Sequence, residues 1–524
     1  MTADRTDPVV ATPHGAVRGR YERGVAVFRG IPYAAPPFGP LRFRPPATPE
    51  PWEGVRDAGE FGPTAPKPPY SEAFTPYLSD PVIPGDGCLN LNVWTPEPGP
   101  GARLPVLVWL HGGALTRGSS AVPVYDGTAF ARAGVVCVSV NYRLGVEGYG
   151  LFPDAPPNPG LRDQFAALRW VHEAIGAFGG DPDRITLAGQ SAGAISVGVL
   201  LAAPATRGLV RRAILQSGAP EVSDRDKVRR MVRRMATRLR IPATAEAFAA
   251  VDRDLLLRTQ AETGRLSGPV LGGPAFGIVM DGDLVPGDPL AALTGPGAVP
   301  GVELLLGWTR DEHRLWFVPG GLSEHVDRLG PVALAGAMAR CHTGHEVPRG
   351  YRALRPGAGT AEIVGQMVTD HLLRVPLHRV ADARPGSSYL YEFAWPSRLP
   401  GLGACHALEL GFVFGTGDAP EAVRLAGPGA PRELCDVMHS AWAGFVTNGD
   451  PGPGWPAWDA THPVRVFGDG EPYTAYGPRD AEIGLWPAAQ GGPRPVRTAV
   501  PRAPGAELAA TLRRLRRSAN TPRR

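Results

Sequence analysis

Six short runs of aliphatic and β-branched residues stand out along the chain: Leu104 to Leu110 (LPVLVWL), Gly134 to Val140 (GVVCVSV), Arg184 to Ala188 (RITLA), Arg211 to Gln216 (RRAILQ), Val302 to Leu306 (VELLL) and Ser388 to Phe393 (SYLYEF). Each has the length of a strand, and several are too continuously apolar to keep one face in water. They predict buried strands. Between several of them the period changes. From Asp163 to Phe178, the residues Phe165, Leu168, Val171 and Ile175 recur at helical spacing. Strand and helix in alternation predict an α/β fold: a mostly parallel central sheet flanked by helices, with long inserted loops and helices.

A second helical pattern covers Ser223 to Arg240. Val228, Met231, Val232, Met235 and Leu239 form its apolar stripe, and Arg225, Lys227, Arg229, Arg230, Arg233, Arg234, Arg238 and Arg240 fill most of the rest. Such a helix can meet an acidic partner or a membrane surface. A core-like stripe without aromatics better suits a helix that covers a core and shows its charges to solvent. A smaller pattern at Glu507 to Arg517 places Leu508, Leu512 and Leu515 on one side. No repeat or linker divides the chain, so residues 1–517 are expected to form a single domain, with a frayed basic tail at 518–524.

Composition changes this picture little. Glycine and proline number 68 and 59 among 524 residues, without period, which predicts many tight turns. Fifty-four basic residues face 50 acidic ones, giving no electrostatic case for nucleic acid. Only two of the basic residues are lysines, Lys67 and Lys227. The longest apolar stretch, Ala192 to Ala205, is broken by Pro204 and falls short of a membrane span. No secretory h-region is visible in the first thirty residues, and five scattered cysteines fit a reducing, cytoplasmic location.

The sharpest chemical signal is Gly189-Gln190-Ser191-Ala192-Gly193, placed between a predicted strand and a predicted helix. In that context G-x-S-x-G is a nucleophile elbow: a turn too tight for side chains beside the serine, which lifts its hydroxyl above the sheet. The second signal is His111-Gly112-Gly113-Ala114, directly after the strand Leu104 to Leu110. Small residues there let backbone N–H groups approach a substrate oxyanion. His111 is read as a buttress of that loop, not as a base.

These motifs and their surroundings resemble the type-B carboxylesterase and cholinesterase-like family of α/β-hydrolases, in its bacterial para-nitrobenzyl esterase-type form. FRGIPYAAPPFGPLRFRPP (Phe28 to Pro46), LNLNVWTP (Leu89 to Pro96), VSVNYRLG (Val138 to Gly145), the long stretch Gly160 to Gly193 and LQSG (Leu215 to Gly218) follow in the family's order. The resemblance covers roughly 8–490 and is weakest from about 220 to 300. It implies that the triad acid lies in Gly307-Trp308-Thr309-Arg310-Asp311-Glu312, at Glu312 with Asp311 as rival, and that the base is His406 of His406-Ala407-Leu408-Glu409. It also implies oxyanion donors at Gly113, Ala114 and Ala192, and a supporting serine at Ser217, which can equally be a turn residue ending a strand.

Two departures bear on the chemistry. Gln190 stands where the family usually has glutamate, which removes a charge beside the elbow but keeps a hydrogen-bonding group of similar size. The family's partner for Cys88 would fall near Ala65 and is missing. The loop from Lys67 to Cys88 is therefore expected to be unstapled and mobile, held by packing alone through Tyr70, Phe74, Tyr77 and Ile83.

The implied activity is serine carboxylic-ester hydrolysis on a small-molecule ester through an acyl-enzyme, with no metal or organic cofactor. Cys341-His342 with His345 offers too few ligands in view. A catalytically inactive interaction module, and an amidase or peptidase on the same triad, are the alternatives. The loops at about 67–88, 220–300 and 316–350 are expected to shape specificity.

Overall fold

All six runs become strands of one eleven-stranded sheet in the computed structural model, which describes residues 6–264, 275–296, 298 and 301–487. In chain order the strands are β1 (Arg20–Glu22), β2 (Val25–Pro32), β3 (Asn90–Thr95), β4 (Leu104–Leu110), β5 (Val136–Val140), β6 (Gly180–Gln190), β7 (Arg212–Gln216), β8 (Glu303–Thr309), β9 (Ser388–Phe393), β10 (Pro463–Phe467) and β11 (Tyr473–Tyr476). Across the sheet they run β11-β10-β9-β8-β7-β6-β4-β5-β3-β2-β1. The strands from β10 to β5 in that order are parallel, and pairing turns antiparallel at both margins. A separate three-stranded sheet joins Val9–Thr12, Gly15–Arg18 and Val55–Asp57.

The unbroken apolar runs have their reason in the two cores. Val106, Val108 and Leu110 of β4 enter one core, and Leu107 and Trp109 enter the other. Alternate residues of β5, β7 and β8 divide in the same way. With both faces covered, each buried strand needs apolar residues at successive positions.

Strands at the margins were hidden by their letters. β3 reads NLNVWT, yet all six residues are buried. Its asparagines are satisfied inside: the Asn92 amide donates to Ser120 Oγ and Ser139 Oγ, and Asn90 donates to the carbonyls of Pro63 and Gly87.

Helix α1 (Pro159–Ala174) begins before the expected Asp163, because Pro159 at its first turn gives up no hydrogen bond. It tightens into a 3-10 turn at Ile175–Phe178. Helix α2 (Ala192–Ala202) follows the elbow, and α3 (Arg225–Leu239) is the basic helix. Val228, Met231, Val232 and Met235 of α3 are buried, so its stripe covers a core and its arginines face outward. A third apolar cluster, with Phe317, Val347, Tyr351 and Met367, belongs to the helical insertion between β8 and β9. No helix among the described residues is long and apolar enough to cross a membrane. The expected helix at Glu507 to Arg517, the tail at 518–524 and the domain limit at 517 lie outside the described residues.

After β4 the chain places β5 on one side of it and then β6 on the other. That reversal opens a crevice at the carboxyl ends of β4 and β6, the usual ligand position in such sheets. Both signature motifs begin there.

Candidate active site

Ser191 joins β6 to α2 with φ 56° and ψ −123°, a conformation that a residue with a side chain adopts only under constraint. The constraint is steric. A Cβ on Gly189 would lie 2.5 Å from the Gly193 carbonyl carbon, and one on Gly193 would lie 2.0 Å from the Leu110 oxygen. Both distances are impossible for real side chains, so the two glycines let β6, α2 and the end of β4 close on one another. The Ser191 N–H donates to the Gln216 carbonyl (2.8 Å), tying the elbow to β7.

His406 and Glu312 meet beside this turn. His406 Nδ1 lies 2.5 Å from Glu312 Oε2, and the Thr309 N–H donates to Glu312 Oε1 at 2.8 Å. Glu312 is fully buried. Burial alone would push its carboxyl up, but the imidazole and the hydrogen-bond donors around it hold it below the ordinary value. Ser217 Oγ faces the same carboxylate at a geometry short of a full hydrogen bond. Asp311 points elsewhere: its carboxylate accepts the Ala404 N–H at 3.0 Å.

On the far side of the ring, His406 Nε2 is 3.1 Å from Gln190 Nε2. With the Nδ1 proton directed at Glu312, Nε2 carries the lone pair and the Gln190 amide donates to it. Thus the unprotonated ring nitrogen is the one on the elbow side. Trp316 packs on the ring, with centroids 4.7 Å apart.

The loop after β4 lies across the crevice. Gly113, Ala114 and Leu115 all have positive φ, at 118°, 54° and 59°. The Thr116 and Arg117 N–H groups both donate to the Gly113 carbonyl at 3.0 Å, closing a tight turn. Among the described residues the Gly113 and Ala114 N–H groups find no protein acceptor. Ala192 occupies the first position of α2, where N–H groups have no partner within the helix. These three donors suit an anionic oxygen. His111 is buried and stacked on Tyr142 (4.4 Å), and its Nδ1 lies 2.8 Å from the Gly112 oxygen. Burial drives its pKa down to about 3, so it stays neutral.

Sequence reasoning assigned no role to the polar layer beneath. Glu409 is fully buried, accepts from Gln216 Nε2 (3.2 Å), and is pushed up to about 7 by burial and then by the Glu312 charge. Gln216 in turn accepts from Trp442 Nε1 at 2.9 Å. Glu409 was within reach as the acid of the His406 segment. Trp316 left no local signal.

The segment 67–88 corrects the expectation that packing alone holds it. Tyr77 does pack on the second core, and Arg117 lies over the Tyr70 ring. Yet the segment also contains a buried ion pair, Lys67 with Asp80, at 2.7 Å. Ala65 is buried and Cys88, like the other four cysteines, is unpaired. Among the described residues no group of three or more His, Cys, Asp or Glu side chains could hold a metal.

Comparison with known proteins shows the family. The model of the carboxylesterase family matches residues 6–468. The para-nitrobenzyl esterase of Bacillus subtilis (strain 168) is 35% identical over 467 residues, covering 87% of this chain and 93% of that protein. Phenmedipham hydrolase of Pseudarthrobacter oxydans is 36% identical over 485 residues, covering 88% and 96%. The crystal structure of a Geobacillus stearothermophilus carboxylesterase superposes with a TM-score of 0.81 at 36% identity, over 91% of this chain and all of that one.

Proposed function

Because the chain belongs to the carboxylesterase family and is a carboxylic-ester hydrolase of the α/β-hydrolase fold, we propose that Ser191, His406 and Glu312 form its triad. The observation that carries this reading is the position of His406, whose two ring nitrogens face Glu312 on one side and the elbow on the other.

His406 Nε2 takes the proton of Ser191 Oγ as that oxygen attacks the ester carbonyl. The Glu312 carboxylate fixes the tautomer and stabilises the imidazolium. Gly113, Ala114 and Ala192 donate to the developing oxyanion. His406 then protonates the leaving alcohol, and water enters by the same route to release the acid. Gln190 is displaced from Nε2 in each proton transfer; being neutral, it adds no electrostatic stabilisation of the imidazolium. Ser217 and Glu409 act on the triad from behind, through Glu312 and Gln216.

Small-molecule esters are the substrates, and the complete set of nucleophile, base, acid and donors supports catalysis over an inactive module. The chain works in a reducing compartment on this reading, supported by five unpaired cysteines.

The test is covalent labelling with a fluorophosphonate, followed by peptide mapping. The expected adduct is on Ser191. An adduct on Ser196 or Ser217 with Ser191 unmodified would overturn the assignment.

A further inference from the structure

The Lys67–Asp80 pair does more than close a surface loop. Both side chains are out of solvent, at 1% and 6% exposure, and each makes a polar contact to the same residue of the loop after β4. Asp80 Oδ2 accepts the Gly118 N–H at 3.0 Å, and Lys67 Nζ donates to the Gly118 carbonyl at 3.2 Å. Lys67 also donates to the Pro81 carbonyl at 2.8 Å, which locks the pair into its own segment. Both backbone groups of Gly118 are therefore held by opposite charges.

Gly118 is the back wall of the Gly112–Gly113 peptide. A Cβ on Gly118 would lie 2.3 Å from the Gly112 oxygen and 2.5 Å from His111 Nδ1, and its φ is +94°. The Gly112 oxygen is thus enclosed by Gly118 and His111. In a trans peptide the carbonyl and the N–H point in opposite directions. Fixing the Gly112 carbonyl against this wall fixes the Gly113 N–H toward the crevice.

We propose that Lys67 and Asp80 are positioning residues for ester hydrolysis, a buried charge clamp that aims the Gly113 N–H at the substrate oxyanion through Gly118. This rests on the reading of Ser191 as the nucleophile and of Gly113 as a donor to the oxyanion that its attack creates. It acts on the transition state more than on substrate binding, because the oxyanion forms only as Ser191 attacks.

The test measures kcat and KM on a nitrophenyl ester and the inhibition constant of an aryl trifluoromethyl ketone. That ketone adds the serine oxygen and leaves an oxyanion in the same place. Removing one oxyanion donor costs roughly 100- to 1,000-fold, so a mis-aimed donor should cost somewhat less. Lys67→Met should lower kcat about 10- to 100-fold, leave KM within about twofold, and weaken the ketone by a similar factor. Asp80→Asn keeps an acceptor for Gly118 and should lose less. The double variant Lys67→Met/Asp80→Leu leaves neither charge of the pair unpartnered, so its thermal midpoint should return toward wild type while kcat and ketone affinity stay low. It also carries the test if Lys67→Met fails to fold. A double variant with wild-type kcat, or singles that lose thermal stability alone, would overturn the clamp. Turnover surviving in Ser191→Ala would instead overturn the reading beneath it.

Discussion

Two loops meet over the crevice, and they are held by different physics. The elbow at residues 189–193 is shaped by exclusion: backbone of β4, β6 and α2 packs so closely that only hydrogen fits at Gly189 and Gly193. The loop at 111–118 is held by attraction, through His111, the Gly113 turn and the charges of Lys67 and Asp80. Steric exclusion is indifferent to pH. Attraction across the fold draws on distant residues and depends on protonation and on both partners being present. The nucleophile therefore stands on the less adjustable support and the oxyanion donors on the more adjustable one.

The largest effect should come from the elbow. Ser191→Ala is expected to lower turnover by roughly four to six powers of ten with little change in thermal midpoint. Gly193→Ala should abolish activity too, but by pushing a methyl against the Leu110 oxygen, so its thermal midpoint should fall. An active, stable Gly193→Ala would break the contrast between the two loops.

Next come the acids behind the base. Glu312→Gln keeps size and favours the wrong imidazole tautomer, and should cost about two to four powers of ten in kcat. Asp311→Asn should cost far less, since Asp311 bonds to the Ala404 N–H and not to His406. The reverse order would reassign the acid.

A smaller effect separates the loops by pH. His111 is kept neutral in the folded protein, with its pKa near 3 against an ordinary 6.5. As pH falls below 6.5 the unfolded chain takes up this proton and the folded chain does not, so stability is lost in that window and is complete above it. The loss should be about 2 kcal/mol between pH 6.5 and 5. Glu409, raised to about 7, works in the opposite direction there, because the folded chain holds a proton that the unfolded chain has released. The effect is therefore read as the difference in denaturant midpoint between wild type and His111→Gln, in which the Glu409 contribution cancels: wild type should lose stability relative to the variant as pH falls from 6.5 to 5. Equal slopes would show that the buried ring does not stay neutral.

The smallest expected effect is none. Five thiols should titrate in denatured, unreduced protein, and a reductant should leave activity and thermal midpoint unchanged. Three thiols or fewer, with a reductant-sensitive midpoint, would put a crosslink where the clamp is described.

The same contrast explains what could be read beforehand. Central strands announced themselves because burial on both faces forces continuous apolar runs, and the elbow because its sterics require glycine at fixed spacing. β3 was missed because its asparagines find partners only after folding. Glu312 and His406 came into view only through the resemblance of their segments to a known family; neither turn announces its role by itself. The Lys67–Asp80 pair was not legible: nothing local distinguishes a lysine and an aspartate in a proline-rich loop until Gly118 arrives between them. The loop was consequently expected to rely on packing.

The glycine seam where β4, β6 and α2 touch also sets how the protein can change over generations. A substitution at Gly189 or Gly193 has no neighbour able to make room, since the obstructing atoms are main chain. Selection can therefore experiment freely with the walls of the crevice while the hinge of the chemistry stays fixed, and new substrates are acquired by redecorating loops around an unaltered pivot. A mutagenesis library aimed at new esters is best spent on the insertion between β8 and β9 and on the segment from Tyr70 to Tyr77, sparing Lys67 and Asp80. Diversity placed at the seam yields inactive clones.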